Sequence, residues 1–190
     1  MSFIKDFIKS VKPDQSVFTF PQLSHMVDGY TGSKLRSALK YALKRGDVYR
    51  ITKGIYSISK DYDHFQFANK YRSPSYISLY SILQKNGIVF QPYTAIYIVT
   101  NRSLQIKIDD QTYIYRKIRD NILLNPFGVE IQNGTQIATS ERAICDKLYL
   151  DGDEYFDNLR NINWQKMSQL NSLVYGDNKV ISKFISKNST

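Results

Sequence analysis

The stretch TGSKLRSALKYALKRGDVYRITKGIY, residues 31–56, decides how this chain is read. Counted from Ser33 at about 100° per residue, Leu35, Ala38, Leu39 and Ala42 fall on one side of a helix, with Leu43 at its edge. Ser33, Ser37, Lys40 and Lys44 fall on the opposite side, flanked by Lys34, Arg36 and Tyr41. One face is built to be buried. The other carries cations and short hydroxyl side chains with no acid among them, the composition of a helix that lies in the DNA major groove.

The flanks complete the pattern of a winged helix-turn-helix. SFIKDFIKSV (residues 2–11) suits a first helix with Phe3, Phe7, Ile8 and Val11 on one side. Pro21 opens a short helix, PQLSHMV, because a first turn has no use for the missing amide. Asp28-Gly29-Tyr30-Thr31-Gly32 is rich in turn residues, with Thr31 as a cap for the next helix. Gly46 marks that helix's end, since a left-handed C′ position costs glycine little. Val48–Ile51 and Ile55–Ile58 then read as two strands around Thr52-Lys53-Gly54. Arg50 and Lys53 stand on this hairpin, placed for backbone phosphates beside the groove.

Charge is divided the same way. Residues 1–72 carry a net +7 and residues 73–190 a net +2 of the whole chain's +9. Between Lys34 and Lys53 there are seven cations and one acid, Asp47. A concentrated basic surface attracts a polyanion. Two other readings of a basic amphipathic helix stand beside DNA binding. One is a membrane surface, which the Ala- and Leu-rich apolar face without large aromatics suits poorly. The other is a solvated lysine face on an ordinary core helix.

Length allows one medium domain or two small ones, and 42% hydrophobic content is enough to build cores. No apolar run approaches membrane-spanning length. Lys5, Asp6 and Lys9 interrupt the N-terminal apolar residues, unlike a secretory signal. The lone cysteine, Cys145, forms no internal disulfide and fits a reducing compartment. The expectation is a cytoplasmic protein that does not enter membranes.

The second half has another texture. SKDYDHFQFANKY (residues 59–71) reads as a connecting helix, and SYISLYSILQKNG after Ser73-Pro74 as a second helix ending at Gly87. Strand patterns follow at Tyr93–Thr100, Leu104–Ile108, Thr112–Ile118, Phe127–Gln132 and Gln136–Ala138. From Thr139 the pattern is helical: TSERAICDKLYL, DEYFDNLRNI, WQKMSQLNSLVYG and KVISKFISK. The fold class is α+β, an antiparallel or mixed sheet flanked by helices behind the N-terminal winged helix-turn-helix. The expected domains are residues 1–60, a connector at 61–73, and residues 74–190.

Four stretches then resemble a known family in its own order: ALKRGDVYRITKGIYSI, SPSYISLYSILQKNGIV, IYIVTNR and IATSERAICDKLYL, within roughly residues 35–150. The chain resembles the AbiEi family of antitoxins, the transcriptional regulators of type IV toxin–antitoxin systems. The SYISL stretch and the I-A-x-S-E-R-A-x-x-D stretch are the more specific. The resemblance implies an autorepressor that binds inverted repeats of double-stranded DNA in its own promoter, as two copies that are monomers or a weak dimer in solution. It also implies a C-terminal domain that counteracts a nucleotidyltransferase toxin, with or without a stable complex. Ser140, Glu141, Arg142 and Asp146 are the candidate motif of that domain. The other reading of Arg142 and Asp146, four apart on a helix, is a clasp tying the helix to the sheet. The alternative function is a stand-alone winged-helix regulator whose C-terminal domain senses a ligand or dimerises.

Catalytic constellations are not legible. His25 and His64 are the only histidines and neither has a spaced partner, so no zinc set can be assembled with one cysteine. Cys145 beside Ile144 and Leu148 reads as a buried small hydrophobe. There is no P-loop and no G-x-G-x-x-G. Asp109-Asp110 reads as a hairpin turn, and Tyr115-Arg116-Lys117 lacks the acid a metal-dependent nuclease places before its lysine. Tyr76, Tyr80, Tyr113 and Tyr149 alternate with Ile and Leu as core residues do, rather than as a base-stacking sheet. The expectation is a binding protein, not an enzyme, with no cofactor and no metal.

Overall fold

The computed structural model describes residues 3–189; Ser2, which the periodicity places in the first helix, lies outside them. Its mixture of helix and strand is α+β, and its contacts divide the chain after Tyr71 into two units.

The first unit runs α1 (Phe3–Ser10), β1 (Val17–Thr19), α2 (Phe20–Met26), α3 (Gly32–Arg45), β2 (Tyr49–Thr52), β3 (Ile55–Ser57) and α4 (His64–Tyr71). Its core is one apolar cluster that includes Phe3, Phe7, Phe18, Leu23, Leu35 and Leu39. Phe7 meets Phe18 edge to face at 4.9 Å between centroids. Ile8, expected on the buried side of α1, is 61% exposed, because Phe3 and Phe7 define the buried side and Ile8 lies one residue round from it. The start of α2 is a capping box: the Gln22 amide donates to Thr19 Oγ1 at 3.3 Å, and the Thr19 amide donates to Gln22 Oε1 at 3.0 Å.

The three strands form an antiparallel sheet in the order β1-β3-β2. β1 was not legible as a strand, since three residues carry too little period-2 signal. Its open edge is covered by α4. Gln66 Oε1 accepts from the amides of Ser16 at 3.0 Å and Val17 at 3.2 Å. One turn on, the Lys70 ammonium donates to the Val17 carbonyl. Two side chains thus stand in for a fourth strand and blunt an edge that would otherwise offer unpaired backbone groups. Residues 61–73, expected as a connector, therefore supply a structural helix of the first unit, and that helix begins only at His64.

The second unit runs β4 (Ser75–Ile77), α5 (Tyr80–Lys85), β5 (Ile96–Thr100), β6 (Leu104–Ile108), β7 (Gln111–Lys117), α6 (Asp120–Leu123), β8 (Val129–Gln132), β9 (Thr135–Ala138), α7 (Ser140–Asp151), α8 (Trp164–Leu173) and α9 (Lys179–Asn188). The sheet order is β6-β7-β5-β4-β9-β8. β7–β5 and β4–β9 are parallel and the other neighbours antiparallel, so the sheet is mixed. The β8–β9 hairpin turns on Asn133-Gly134, both at positive φ as a two-residue primed turn requires.

Two helical expectations fail here. SYISL is not the start of a helix: Ser75–Ile77 is a central strand between β5 and β9, and a positive φ of 53° at Leu79 turns the chain into the short α5. Pairing on both sides outweighs the helical spacing. DEYFDNLRNI carries no helix because its polar groups bond elsewhere. Asp157 accepts from the Phe90 amide at 2.8 Å, and the Asn158 amide donates to the Ile88 carbonyl at 3.1 Å. α6 is the converse case, a four-residue helix too short to show periodicity.

Gln66→Ala leaves two amides of the β1 edge without their acceptor and should destabilise the full chain by about 1–3 kcal/mol in urea unfolding. Burial lowers the pKa of Lys70 to about 8, with Asp63 opposing. Because a base with a depressed folded-state pKa makes the native state bind fewer protons, the contribution of Lys70 to stability should rise from pH 8 toward 10.5, its ordinary value, and stay flat below 8. Unfolding curves of the native protein and Lys70→Met across that window check the sign.

Candidate nucleic-acid interface

The geometry of α3 follows from its ends and its buried stripe. Thr31 occupies the N-cap position in extended conformation, but its hydroxyl makes no capping bond. The next residue, Gly32, takes a left-handed φ of 52°, which breaks the extended-to-helical path that a capping hydroxyl needs. At the other end Gly46 adopts φ 76° and its amide bonds back to the carbonyls of Ala42 and Leu43. Leu35, Leu39 and Ala42 are buried at 2% exposure or less, with Ala38 and Leu43 half-buried at the margin.

Everything the sequence assigned to the other face is in solvent. Ser33, Lys34, Arg36, Ser37, Lys40, Tyr41 and Lys44 are all exposed, and so are Arg50 and Lys53 on the β2–β3 hairpin. Among the described residues, none of Lys34, Arg36, Lys40, Lys44, Arg50 or Lys53 forms an ion pair. The exception on α3 is Arg45, whose Nε lies 3.1 Å from Asp47. Its pKa is raised first by the Tyr41 hydroxyl and then by Asp47. Two other cations rest against rings: Lys34 Nζ 4.7 Å from the Tyr30 centroid and the Arg36 guanidinium 5.8 Å from that of Phe20. Such contacts restrict the side chains without neutralising them.

The hairpin is short and firmly held. Thr52 pairs with Ile55, so its turn is Lys53-Gly54 alone, with Gly54 at φ 80°. The ladder skips Ile51. The Phe20 amide donates to the Gly54 carbonyl at 2.8 Å, tying the tip to the start of α2. Lys53 projects from this tip, and Arg50 Nε donates to the Thr52 carbonyl at 3.4 Å. The same unit thus presents a cationic helix face and a cationic hairpin.

The second candidate motif faces inward. Arg142 and Asp146 are fully buried, 3.6 Å apart. Arg142 donates to the carbonyls of Phe127 and Ile122 at 2.7 Å each and to the Tyr76 hydroxyl at 3.1 Å. Asp146 accepts from Tyr76 at 3.0 Å, Ser78 at 2.7 Å and Tyr175 at 2.7 Å. Burial raises the Asp146 pKa, while Arg142 and these hydroxyls pull it the other way. Burial and the Asp146 charge also raise both tyrosines well above their ordinary range, so they remain donors. Gly128 belongs to the same assembly: a Cβ there would lie 3.1 Å from Arg142 Cβ and 3.0 Å from Leu170 Cδ2. This is the geometry of a clasp joining β4, α6, α7 and the segment that follows α8.

Glu141 is buried at 7%, accepting from the Asn163 amide at 3.2 Å and pairing with Lys166 at 3.3 Å. Burial pushes its carboxyl up, but its backbone hydrogen bonds and Lys166 outweigh that and hold its pKa low. Ser140 accepts from Asn86 Nδ2 at 2.8 Å. Cys145 is buried, and burial raises its thiol, so it stays protonated. No group of three or more His, Cys, Asp or Glu among the described residues is placed to hold a metal, and no described helix is long and apolar enough to cross a membrane.

One polar cluster was not anticipated. Lys147 Nζ bridges Asp151 at 2.8 Å and Glu154 at 2.6 Å, Arg116 pairs with Asp151 at 2.6 Å, and Tyr80 donates to Glu154 at 2.6 Å. Asp151 is held below the usual carboxylate range despite partial burial, through Arg116 and Lys147. Only the four-residue spacing of Lys147 and Asp151 was visible in the sequence; Arg116 and Tyr80 arrive through the sheet and α5.

No family model matches this chain, and no curated protein matches it.

Asp146→Asn leaves the Arg142 guanidinium buried without its counter-charge. That variant should lose about 3–5 kcal/mol of stability, read by urea denaturation of the full chain.

Proposed function

We propose that this chain is a DNA-binding transcriptional autorepressor and antitoxin of the AbiEi type. In this reading the first unit is a winged helix-turn-helix, with α2 and α3 as the helix pair and β2–β3 as the wing. The second unit acts against a nucleotidyltransferase toxin made alongside it, without catalysis of its own. The cytoplasm is where both partners would be found.

The observation that carries the DNA half is the outward face of α3, which presents Ser33, Arg36, Ser37, Lys40 and Lys44 in solvent with no acid on the helix. Recognition helices place their N-terminal residues on base edges, which gives that role to Ser33, Arg36, Ser37 and Lys40. Arg is the residue suited to bidentate contact with guanine. Lys34, Tyr41, Lys44, Arg50 and Lys53 would hold phosphates, which positions the protein without reading sequence. The antitoxin half rests on the four sequence stretches and their order. Since Arg142 and Asp146 are interior, their part in it would be to hold the second unit in shape rather than to touch a partner.

Neutralising about five to seven phosphates per copy predicts a slope of about −4.5 to −6.3 for log K against log salt. Lys53→Ala should weaken binding to every duplex alike and make that slope shallower by about one. Arg36→Ala or Ser37→Ala should relax sequence preference instead. A gel-shift titration in which Lys40→Ala/Lys44→Ala binds promoter DNA as tightly as the native protein would sink the assignment.

The antitoxin half is tested by co-expression with the nucleotidyltransferase toxin that this reading expects to be encoded beside the chain. The full chain should restore growth, and a fragment ending at Tyr71 should bind DNA yet fail to rescue. Rescue by that fragment alone would refute a role for the second unit.

A further inference from the structure

We infer that α9 and the cavity at its C-terminal end form a second binding site, one for single-stranded nucleic acid. α9 buries Ile181 and Phe184 and turns Lys179, Lys183 and Lys187 outward. Four residues of helix rise about 6 Å and turn about 40° past a full circle, so the three ammonium groups form one row along the helix. α9 contains no acid, and among the described residues none of these lysines has an ion-pair partner. By contrast Lys147 and Lys166 in the same unit are paired. A row of unpaired cations at regular spacing suits a chain of phosphates.

The row ends at a cavity of about 300 Å³ lined by Tyr155, Phe156, Leu159, Phe184, Lys187 and Asn188. That is the low end of small-molecule sites and room for one base. Phe156 and Phe184 pack edge to face at 5.4 Å and are nearly buried, forming its floor. Tyr155 is 80% exposed, a large ring left in solvent beside Lys187. Asp153 also lines the cavity and supplies an acceptor for the amino group of a base, whereas Glu154 is engaged by Lys147 and Tyr80. A base stacked on Tyr155, with neighbouring phosphates following Lys187, Lys183 and Lys179, uses each of these features. An acidic protein segment would use the lysines but would have no need of the exposed ring, which is why nucleic acid is favoured. The inference is independent of duplex binding by α3.

The test uses the full chain carrying Lys40→Ala/Lys44→Ala, so that the α3 face is weakened, and labelled RNA and DNA strands about ten nucleotides long. Fluorescence anisotropy should give saturable binding, weakened about tenfold by Tyr155→Ala and retained by Tyr155→Phe. Lys183→Ala/Lys187→Ala should flatten the salt slope by about 1.4. Binding of either strand supports the site, and the tighter strand names the source. Absence of binding at low salt overturns it. So does binding that Tyr155→Ala leaves unchanged while polyglutamate competes through the same lysines, an outcome that assigns the row to an acidic protein. Tyr155, Lys183 and Lys187 are exposed, as are Lys40 and Lys44, so matching thermal unfolding of the variants shows that lost binding is not lost fold.

Discussion

Burial of Leu35, Leu39 and Ala42 is the constraint on which the first unit depends. A helix has one rotation about its axis to give away. Once that stripe is committed to the cluster formed with Phe3, Phe7, Phe18 and Leu23, the positions half a turn away must face water. Those positions hold Ser33, Ser37, Lys40 and Lys44. The cationic face is therefore presented by hydrophobic packing on the far side. The absence of acids on α3 leaves it unneutralised, and the bond from Phe20 to Gly54 holds the hairpin tip to α2.

The second unit depends on a different kind of contact. Arg142 and Asp146 are removed from water, which is tolerable because the carboxylate is met by three hydroxyls and the guanidinium by two carbonyls and a phenol. The network joins segments far apart in the chain, from Tyr76 to Tyr175. Its shape also dictates a residue that lends it no side chain, Gly128, where a Cβ would crowd Arg142 and Leu170.

Legibility tracked how local the signal was. Long amphipathic helices and alternating strands were visible: α3, α7, α8, α9 and β6 sit where their patterns place them. The Asn133-Gly134 turn was visible because both residues tolerate positive φ. What escaped was decided from a distance. Ser75–Ile77 is a strand because β5 and β9 lie on either side, and residues 153–162 are irregular because residues 87–90 take up their hydrogen bonds. The Thr19-x-x-Gln22 capping pair was present in the sequence and readable, as was the four-residue spacing of Gln66 and Lys70, but nothing local says that the latter pair caps a strand edge.

By itself the sequence determined which side of α3 carries cations, where that helix stops, and that the second half mixes strands with helices. These follow from periodicity, charge and glycine at a left-handed position, all properties of neighbours along the chain. Only the tertiary structure decided that α4 belongs to the first unit, that the sheet is mixed, and that Arg142 and Asp146 point inward while Tyr155 stands in solvent. Each of these depends on which distant groups remove a side chain or a backbone amide from water, and spacing along the chain carries no record of that.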